Sequence, residues 1–241
     1  MKPAPRLFTQ EILTPARQFE LSREQAHYLV HVLRLKPGDP VSLFNARDGE
    51  WLAYLTDAGK KAVAVRVEKC SGEAKPPPDI DFLFAPLKHA RLDYLVQKAT
   101  ELGARRLRPV ITDRTIAGRV NLERMRANAI EAAEQCNLVF VPEVAEPQKL
   151  DRILADWQEG RALVYCDETA SVANPLDALA HVALPAAVLI GPEGGFTDAE
   201  RDTLRRLSFV NAISLGPRIM RADTAAISAL TLMQAVLGDW R

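Results

Sequence analysis

The spacing of apolar and polar residues changes its rhythm once along the chain, near residue 78. Before that point, residues 41–44, 51–56 and 62–67 alternate apolar and polar side chains, separated by the turn formers Arg47-Asp48-Gly49 and Gly59-Lys60. A period of two gives a strand one buried and one wetted face, so this part predicts a small antiparallel sheet or barrel. Arg6-Leu7-Phe8 predicts a short first strand. Ser22-Arg23-Glu24-Gln25 has the form of a capping box, opening a helix that runs to about Leu33. On that helix Leu29, Val32 and Leu33 are expected to face the core. His27, His31 and Arg34, at i, i+4 and i+7, are expected to share the other face.

After Pro76-Pro77-Pro78 the rhythm becomes strand, helix, strand. Residues 80–85, 107–111, 139–144, 162–166, 186–190 and 210–215 read as strands. Residues 91–102, closed by Gly103 as a C′ residue, and 122–136 and 149–157 read as helices, with two more starting near Asp198 and Asp223. Strands separated by helices imply a parallel sheet covered on its faces, an α/β class. The division predicted is 1–75 for the front domain, 76–79 for a stiff proline linker and 80–241 for the α/β domain.

The most informative stretch is 185–230, PAAVLIGPEGGFTDAERDTLRRLSFVNAISLGPRIMRADTAAISAL. It holds two units of the same grammar: an apolar strand, a Gly-Pro turn and a helix. Thr197-Asp198-Ala199-Glu200 is a second capping box. Two glycine loops at the same end of neighbouring parallel strands make a ligand crevice, because open α/β sheets bind beyond their strands' carboxyl ends. Glycine permits close backbone approach, and free N–H and C=O groups can read a purine edge. Neither G-x-G-x-x-G after a strand nor G-x-x-x-x-G-K-[ST] occurs, which argues against dinucleotide or nucleoside triphosphate binding.

Composition narrows the class. In 241 residues, 48% hydrophobic and 26% charged side chains are those of a soluble globular protein. With no apolar run near 18 residues and no signal-like segment in residues 1–8, a cytoplasmic protein without membrane partners is expected. Cys70, Cys136 and Cys166 are expected to be reduced core thiols, and the His27/His31 pair lacks further ligands, so no metal is expected. The net charge is zero, yet residues 1–75 carry 12 basic and 9 acidic residues while the rest carries 19 and 22. The front part is the basic half, and His27, His31 and Arg34 suit phosphate contact, with Arg6 and Phe8 as wider RNA-facing candidates.

LIGPEGGFTDAE followed by SLGPRIMRADTAA resembles the C-terminal signature of the bacterial 16S ribosomal RNA uracil-N3 methyltransferases of the SPOUT superfamily. HYLVHVLRLKPGD at 27–39 resembles the most recognisable segment of that family's front domain. Lys88, KATELG at 98–103, and EAAEQ at 131–135 followed by Pro142 resemble further family segments. The resemblance implies a PUA-like β-barrel gripping RNA, a C-terminal SPOUT-type parallel sheet with a trefoil knot that binds S-adenosylmethionine, and a homodimer through the C-terminal domain. The family usually reads R-T-E-T-A where this chain has Arg221-Ala222-Asp223-Thr224-Ala225. It also has a small residue, glycine and arginine where Cys136-Asn137-Leu138 stand. For Lys98, Glu101, Glu131 and Gln135 a packing role is expected rather than catalysis.

What the resemblance implies chemically can be laid on residues. The donor's sulfonium is cationic, so its pocket should offer apolar walls and carbonyls. Leu189, Ile190, Leu215, Ile219 and Met220 are suitable walls, with the backbone of Gly191, Pro192, Glu193, Gly194, Ser214, Gly216 and Arg221 completing the two loops. Uracil N3 carries a proton at neutral pH and becomes nucleophilic only on losing it. A cation favours the anionic base and a carboxylate can accept the proton, functions that Arg221 and Asp223 can supply, with Glu193 as the alternative base. Two other classes remain open on sequence: a non-catalytic rRNA-binding assembly factor, and an α/β enzyme acting on a small metabolite.

Overall fold

The computed structural model describes residues 4–58, 62–88, 90–116, 119–170 and 174–240. The expected Gly59-Lys60 turn and His89 lie outside the described residues. The chain forms two compact units, Met1–Pro76 with Ala133–Val141, and Pro77–Ala132 with Pro142–Arg241.

In the first unit, β1 (Arg6–Phe8), β2 (Gln18–Glu20), α1 (Arg23–His27), β3 (Pro40–Asn45), β4 (Gly49–Ala58) and β5 (Val63–Gly72) follow in order. The strands form one sheet, β1-β3-β4-β5-β2, in which β1 lies parallel to β3 and the other pairs are antiparallel. Alternation sets the core. Val63, Val65 and Val67 point inward with Leu7, Leu29, Val41, Leu43 and Leu55, while Arg66 and Glu68 point out.

The helical segment here ends near Leu33 as its apolar pattern predicts, but its winding changes part-way. The Ser22–Gln25 capping box is formed, but α1 ends at His27 and continues as one wide π-type turn over Tyr28–Val32, closed by Leu33 N–H donating to the Tyr28 carbonyl at 2.9 Å. Arg34 then takes a left-handed φ of 60°. Widening the turn alters which side chains share a face. Leu29 stays buried and Val30 and Leu35 pack beside it, whereas Val32 and Leu33 are 57% and 38% exposed instead of facing the core.

The second unit runs β6 (Ile80–Phe84), α2 (Ala90–Glu101), β7 (Arg106–Ile111), α3 (Leu122–Gln135), β8 (Glu143–Val144), β9 (Gln148–Lys149), α4 (Leu150–Ala155), β10 (Ala162–Cys166), α5 (Pro175–Leu179), β11 (Ala186–Ile190), α6 (Asp198–Arg206), β12 (Val210–Ile213) and α7 (Ala222–Val236). The last residues of α3 belong to the first unit. All strand pairs are parallel, in the order β12-β10-β11-β6-β7-β8, with β9 also pairing β7. Gly103, at φ 73°, ends α2 as a C′ residue. Of the strand expected at 139–144 only Glu143–Val144 forms, and the one expected at 210–215 stops at Ile213.

Two further expectations are corrected. The strands that carry the glycine loops, β11 and β12, are not neighbours, because β10 lies between them. Cys70 and Cys136 are exposed and Cys166 is half-buried, so none is a fully buried core thiol. At the amino-terminal side of the sheet, buried Asp81 accepts from Arg106 at 2.8 Å and Arg108 at 3.5 Å, and Arg161 bonds the Ala186 carbonyl at 2.9 Å. These ties fix three strands at one end and leave the loops at the other end to build a site.

Candidate functional site

The loops that leave β10, β11 and β12 at their carboxyl ends enclose a cleft of about 890 Å³. That volume lies within the range of small-molecule sites. After β11, the close contact is glycine's doing. A Cβ at Gly191 would meet the Phe196 ring at 2.5 Å, so only glycine lets Phe196 fold under the loop. Phe196 is itself buried and sits edge-on to Tyr165 with centroids 5.1 Å apart. Gly195, at φ 67°, closes the turn by donating its N–H to the Pro192 carbonyl at 2.8 Å. The Thr197–Glu200 capping box then starts α6. Arg114 holds the loop from outside, donating from Nη1 to the Gly194 carbonyl at 2.8 Å.

The loop after β12 turns at Gly216, whose φ of 111° is one that L side chains rarely adopt. The Gly216 N–H donates to Ser214 Oγ at 3.3 Å. Ile219, at 88% exposure, and Met220 overhang the cleft, and Arg221 occupies the N-cap position of α7 without capping it through its side chain. Tyr165 and Cys166 at the end of β10 and Asp167 and Glu168 in the loop after it complete the lining.

Most charge at the cleft is paired. Arg91 contacts Glu193, Arg201 donates to Glu168 at 2.9 Å, and Arg205 donates to Asp167 at 2.6 Å. Burial alone would raise the pKa of Asp167, but the Thr169 N–H, Arg205 and the Thr169 hydroxyl together hold it below the ordinary carboxylate value. Burial pushes the Cys166 thiol up to about 12, which favours its protonated form. Burial, with the charge of Asp167, also raises the Tyr165 phenol. Arg218 and Arg221 stand exposed at the mouth.

Of the residues expected at a donor site, Ile190, Gly191, Pro192, Glu193, Ser214, Leu215, Gly216, Ile219, Met220 and Arg221 line this cleft. Leu189 does not. It is fully buried in the sheet core beside Leu83 and Leu163. Gly194 turns its carbonyl to Arg114 outside the lining, and Asp223 lies in the first turn of α7, its Oδ1 accepting the Thr224 N–H at 2.8 Å. Sequence reasoning missed the whole contribution of β10, together with Arg91 and Arg201. Strand 162–166 carries no glycine or proline at its end to advertise a loop site, and nothing in the linear order places it between β11 and β12.

In the first unit, His27 and His31 are exposed with rings 5.2 Å apart, and Arg34 is exposed beyond the wide turn. Arg6 is committed elsewhere. Its guanidinium bonds Glu50 at 2.9 Å and the carbonyls of Ala133, Glu134 and Leu138 at 3.0, 3.1 and 2.8 Å, capping the end of α3. Phe8 is half-buried against Phe44, and its N–H donates to Glu134 at 3.0 Å. Lys98 and Glu101 pair with each other on α2 at 2.6 Å. Among the described residues, no group of three or more His, Cys, Asp or Glu could hold a metal ion.

The family model described as "RNA methyltransferase domain" matches residues 74–234, and the one described as "RNA methyltransferase PUA domain" matches 21–68. The chain is 31% identical over 230 residues to a ribosomal RNA small subunit methyltransferase E from Rickettsia conorii, covering 93% of each chain. It is 33% identical over 222 residues to the protein of that name from Synechocystis, covering 90% of this chain and 73% of the other. A structure of a ribosomal RNA small subunit methyltransferase E from Neisseria gonorrhoeae, bound to S-adenosyl methionine, superimposes with a TM-score of 0.88 at 25% identity, covering 99% of this chain and 100% of that one. A Legionella pneumophila protein solved with bound SAM gives 0.85 at 30% identity, covering 98% and 99%.

Proposed function

The chain belongs to the RNA methyltransferase family whose domain model spans residues 74–234, and on that premise we propose that it transfers a methyl group from S-adenosylmethionine to N3 of a uridine in small-subunit ribosomal RNA. The observation that carries this reading is the cleft at the carboxyl ends of β10, β11 and β12. Its residues fit the donor. Ile190, Leu215, Ile219 and Met220 supply apolar wall, both glycine loops bring backbone to the surface, and the ion pairs at Glu193, Glu168 and Asp167 offset cations that would repel a sulfonium. Bound there, S-adenosylmethionine supplies an electrophilic methyl group.

The chain's own residues prepare the acceptor. Arg221, exposed at the mouth and beside the positive end of the 15-residue α7, favours the anionic form of the base. A carboxylate takes the N3 proton. Glu193 lines the cleft but must first part from Arg91, whereas Asp223 lies just beyond the lining, one residue pair into α7. Displacement needs sulfur, carbon and nitrogen in line, so much of the acceleration comes from positioning.

The same reading assigns RNA contact to the His27, His31 and Arg34 surface of a front domain over 1–75, with a linker at 76–79 and a knotted methyltransferase domain over 80–241. It also includes a homodimer through the C-terminal domain and a cytoplasmic site of action. The test is calorimetric titration of S-adenosylmethionine into the wild type, Gly191→Val and Gly216→Val, with mass mapping of rRNA from cells with and without the protein. Valine at 191 collides with Phe196 and valine at 216 strains φ, so both variants should lose donor binding. Wild-type affinity in both, or an unaltered rRNA modification pattern in cells lacking the protein, would overturn the proposal.

A further inference from the structure

The wide turn after α1 puts an apolar patch on the surface of the first unit. Tyr28, Val32 and Leu33 are all exposed, and nowhere else among the described residues do three large apolar side chains stand exposed in so short a stretch. The winding groups them. Residues four or five apart in such a turn lie one above another, so Val32 and Leu33 stand over Tyr28, whose carbonyl receives the Leu33 N–H at 2.9 Å. His31 stands over His27 in the adjoining column, with the rings 5.2 Å apart. Leu29 beneath is fully buried and anchors the turn in the core. Single exposed apolar side chains are ordinary, whereas a contiguous group with a polar rim marks a contact surface.

Arg34, at the edge of this patch, is held against its backbone preference. Its φ of 60° is the left-handed conformation that favours glycine. It occupies the position just past the turn, and the Leu35 N–H returns to the Leu29 carbonyl at 2.9 Å. Glycine would fill that position without strain, yet it carries an exposed arginine with no ion-pair partner among the described residues. Glu24, the acidic residue one turn before Tyr28, lies at the opposite end of the patch. An apolar face edged by two imidazoles and an unpaired guanidinium complements a nucleotide, whose flat base covers the apolar side chains while its phosphate meets the cation. A duplex keeps its bases stacked inside and offers such a face only phosphate and ribose, so the apolar part calls for an unpaired strand.

We propose that Tyr28, Val32 and Leu33 form a platform for one unstacked base of single-stranded RNA, with Arg34 and the His27/His31 pair holding the phosphates beside it. This rests on the reading of the His27, His31 and Arg34 surface as an RNA contact. It goes beyond that reading by making the front domain a reader of unpaired nucleotides, where phosphate contacts alone would take single and double strands alike.

The test measures fluorescence anisotropy over a salt series with two probes, a short labelled oligoadenosine strand and the same strand annealed to its complement. The single strand offers stacking bases but no uridine. Tyr28→Ser should bind the single strand about tenfold more weakly and Val32→Ser about threefold. Both should keep the wild-type salt slope and the wild-type affinity for the duplex, because neither substitution removes a charge. Arg34→Gly should instead lower the single-strand salt slope by roughly 0.7, with a urea midpoint no lower than the wild type's, since glycine suits the backbone there. Wild-type single-strand affinity in Tyr28→Ser overturns the platform and leaves the patch as a protein-contact surface. Equal losses for single strand and duplex overturn it too, as would a urea midpoint lowered in Tyr28→Ser that accounts for the loss. Failure of the wild type to bind either probe would instead overturn the RNA reading of the surface on which the platform rests.

Discussion

Arg6 is a cation in the basic half of the chain, yet its side chain is only 10% exposed and faces Glu50, the Phe44 ring and three carbonyls at the end of α3. Arg6→Ala should therefore act on stability. Removing it leaves Glu50 half-buried without its ion partner and uncaps the helix, a loss of about 2–3 kcal/mol, seen as a lower urea midpoint with unchanged RNA affinity of the folded protein. A midpoint within error of the wild type would contradict this. The acid side of the stability profile follows from the same residues. Burial works to raise Glu50, but Arg6 and Ser42 hold its pKa below the ordinary value, and Asp167 is likewise depressed against its burial by Thr169 and Arg205. Depressed folded-state values mean that these carboxylates contribute fully above the ordinary pKa of about 4 and lose their contribution as pH falls through the folded values. Glu50→Gln and Asp167→Asn should each flatten the dependence of the unfolding free energy on pH below about 4. Parallel wild-type and variant curves there would refute the assignment.

Among elements, α1 with its wide turn carries the clearest consequence. The capping box fixes where the helix begins, and the change to i→i+5 bonding at Tyr28 decides what it displays. His27 and His31 stay together on one surface with Tyr28, Val32 and Leu33 exposed beside them, and Arg34 leaves at a left-handed φ. If this surface contacts phosphate, His31→Glu and Arg34→Glu should each weaken RNA or subunit binding and lower the slope of affinity against salt, by about one unit for Arg34. Donor affinity should be unaffected. Fluorescence anisotropy over a salt series reads both quantities, and an unaltered slope would reduce the surface to solvated side chains. The wide turn itself was not legible, because HYLVHVLRL keeps a regular helical apolar pattern that an α-helix would satisfy equally well.

For the whole molecule, α7 raises the question of assembly. Ala226, Ala229, Leu230, Met233 and Gln234 are buried, and the helix packs on α2, α5 and β11. Ile227, Leu232 and Val236 remain only half-covered within the chain. We expect a dimer in which a second copy covers this remainder, so light scattering at micromolar concentration should give twice the chain mass, and Leu232→Arg should shift it toward monomer. A wild-type monomer under those conditions would defeat the expectation. Taken alone, the sequence determined what is local: strands from alternation, the two capping boxes, Gly103 as a helix stop, and both glycine loops with most of the cleft residues they carry. Each of these is set by backbone and side-chain preferences within a few positions, so each leaves a trace in linear order. Only the tertiary structure decided that β10 lies between β11 and β12, bringing Tyr165 and Glu168 into the cleft and Arg201 against them. It also turned Arg6 inward and buried Leu189. Parallel strands are near-continuous apolar runs that carry no label for their neighbours, and their order is chosen by which faces bury best together once the chain is folded.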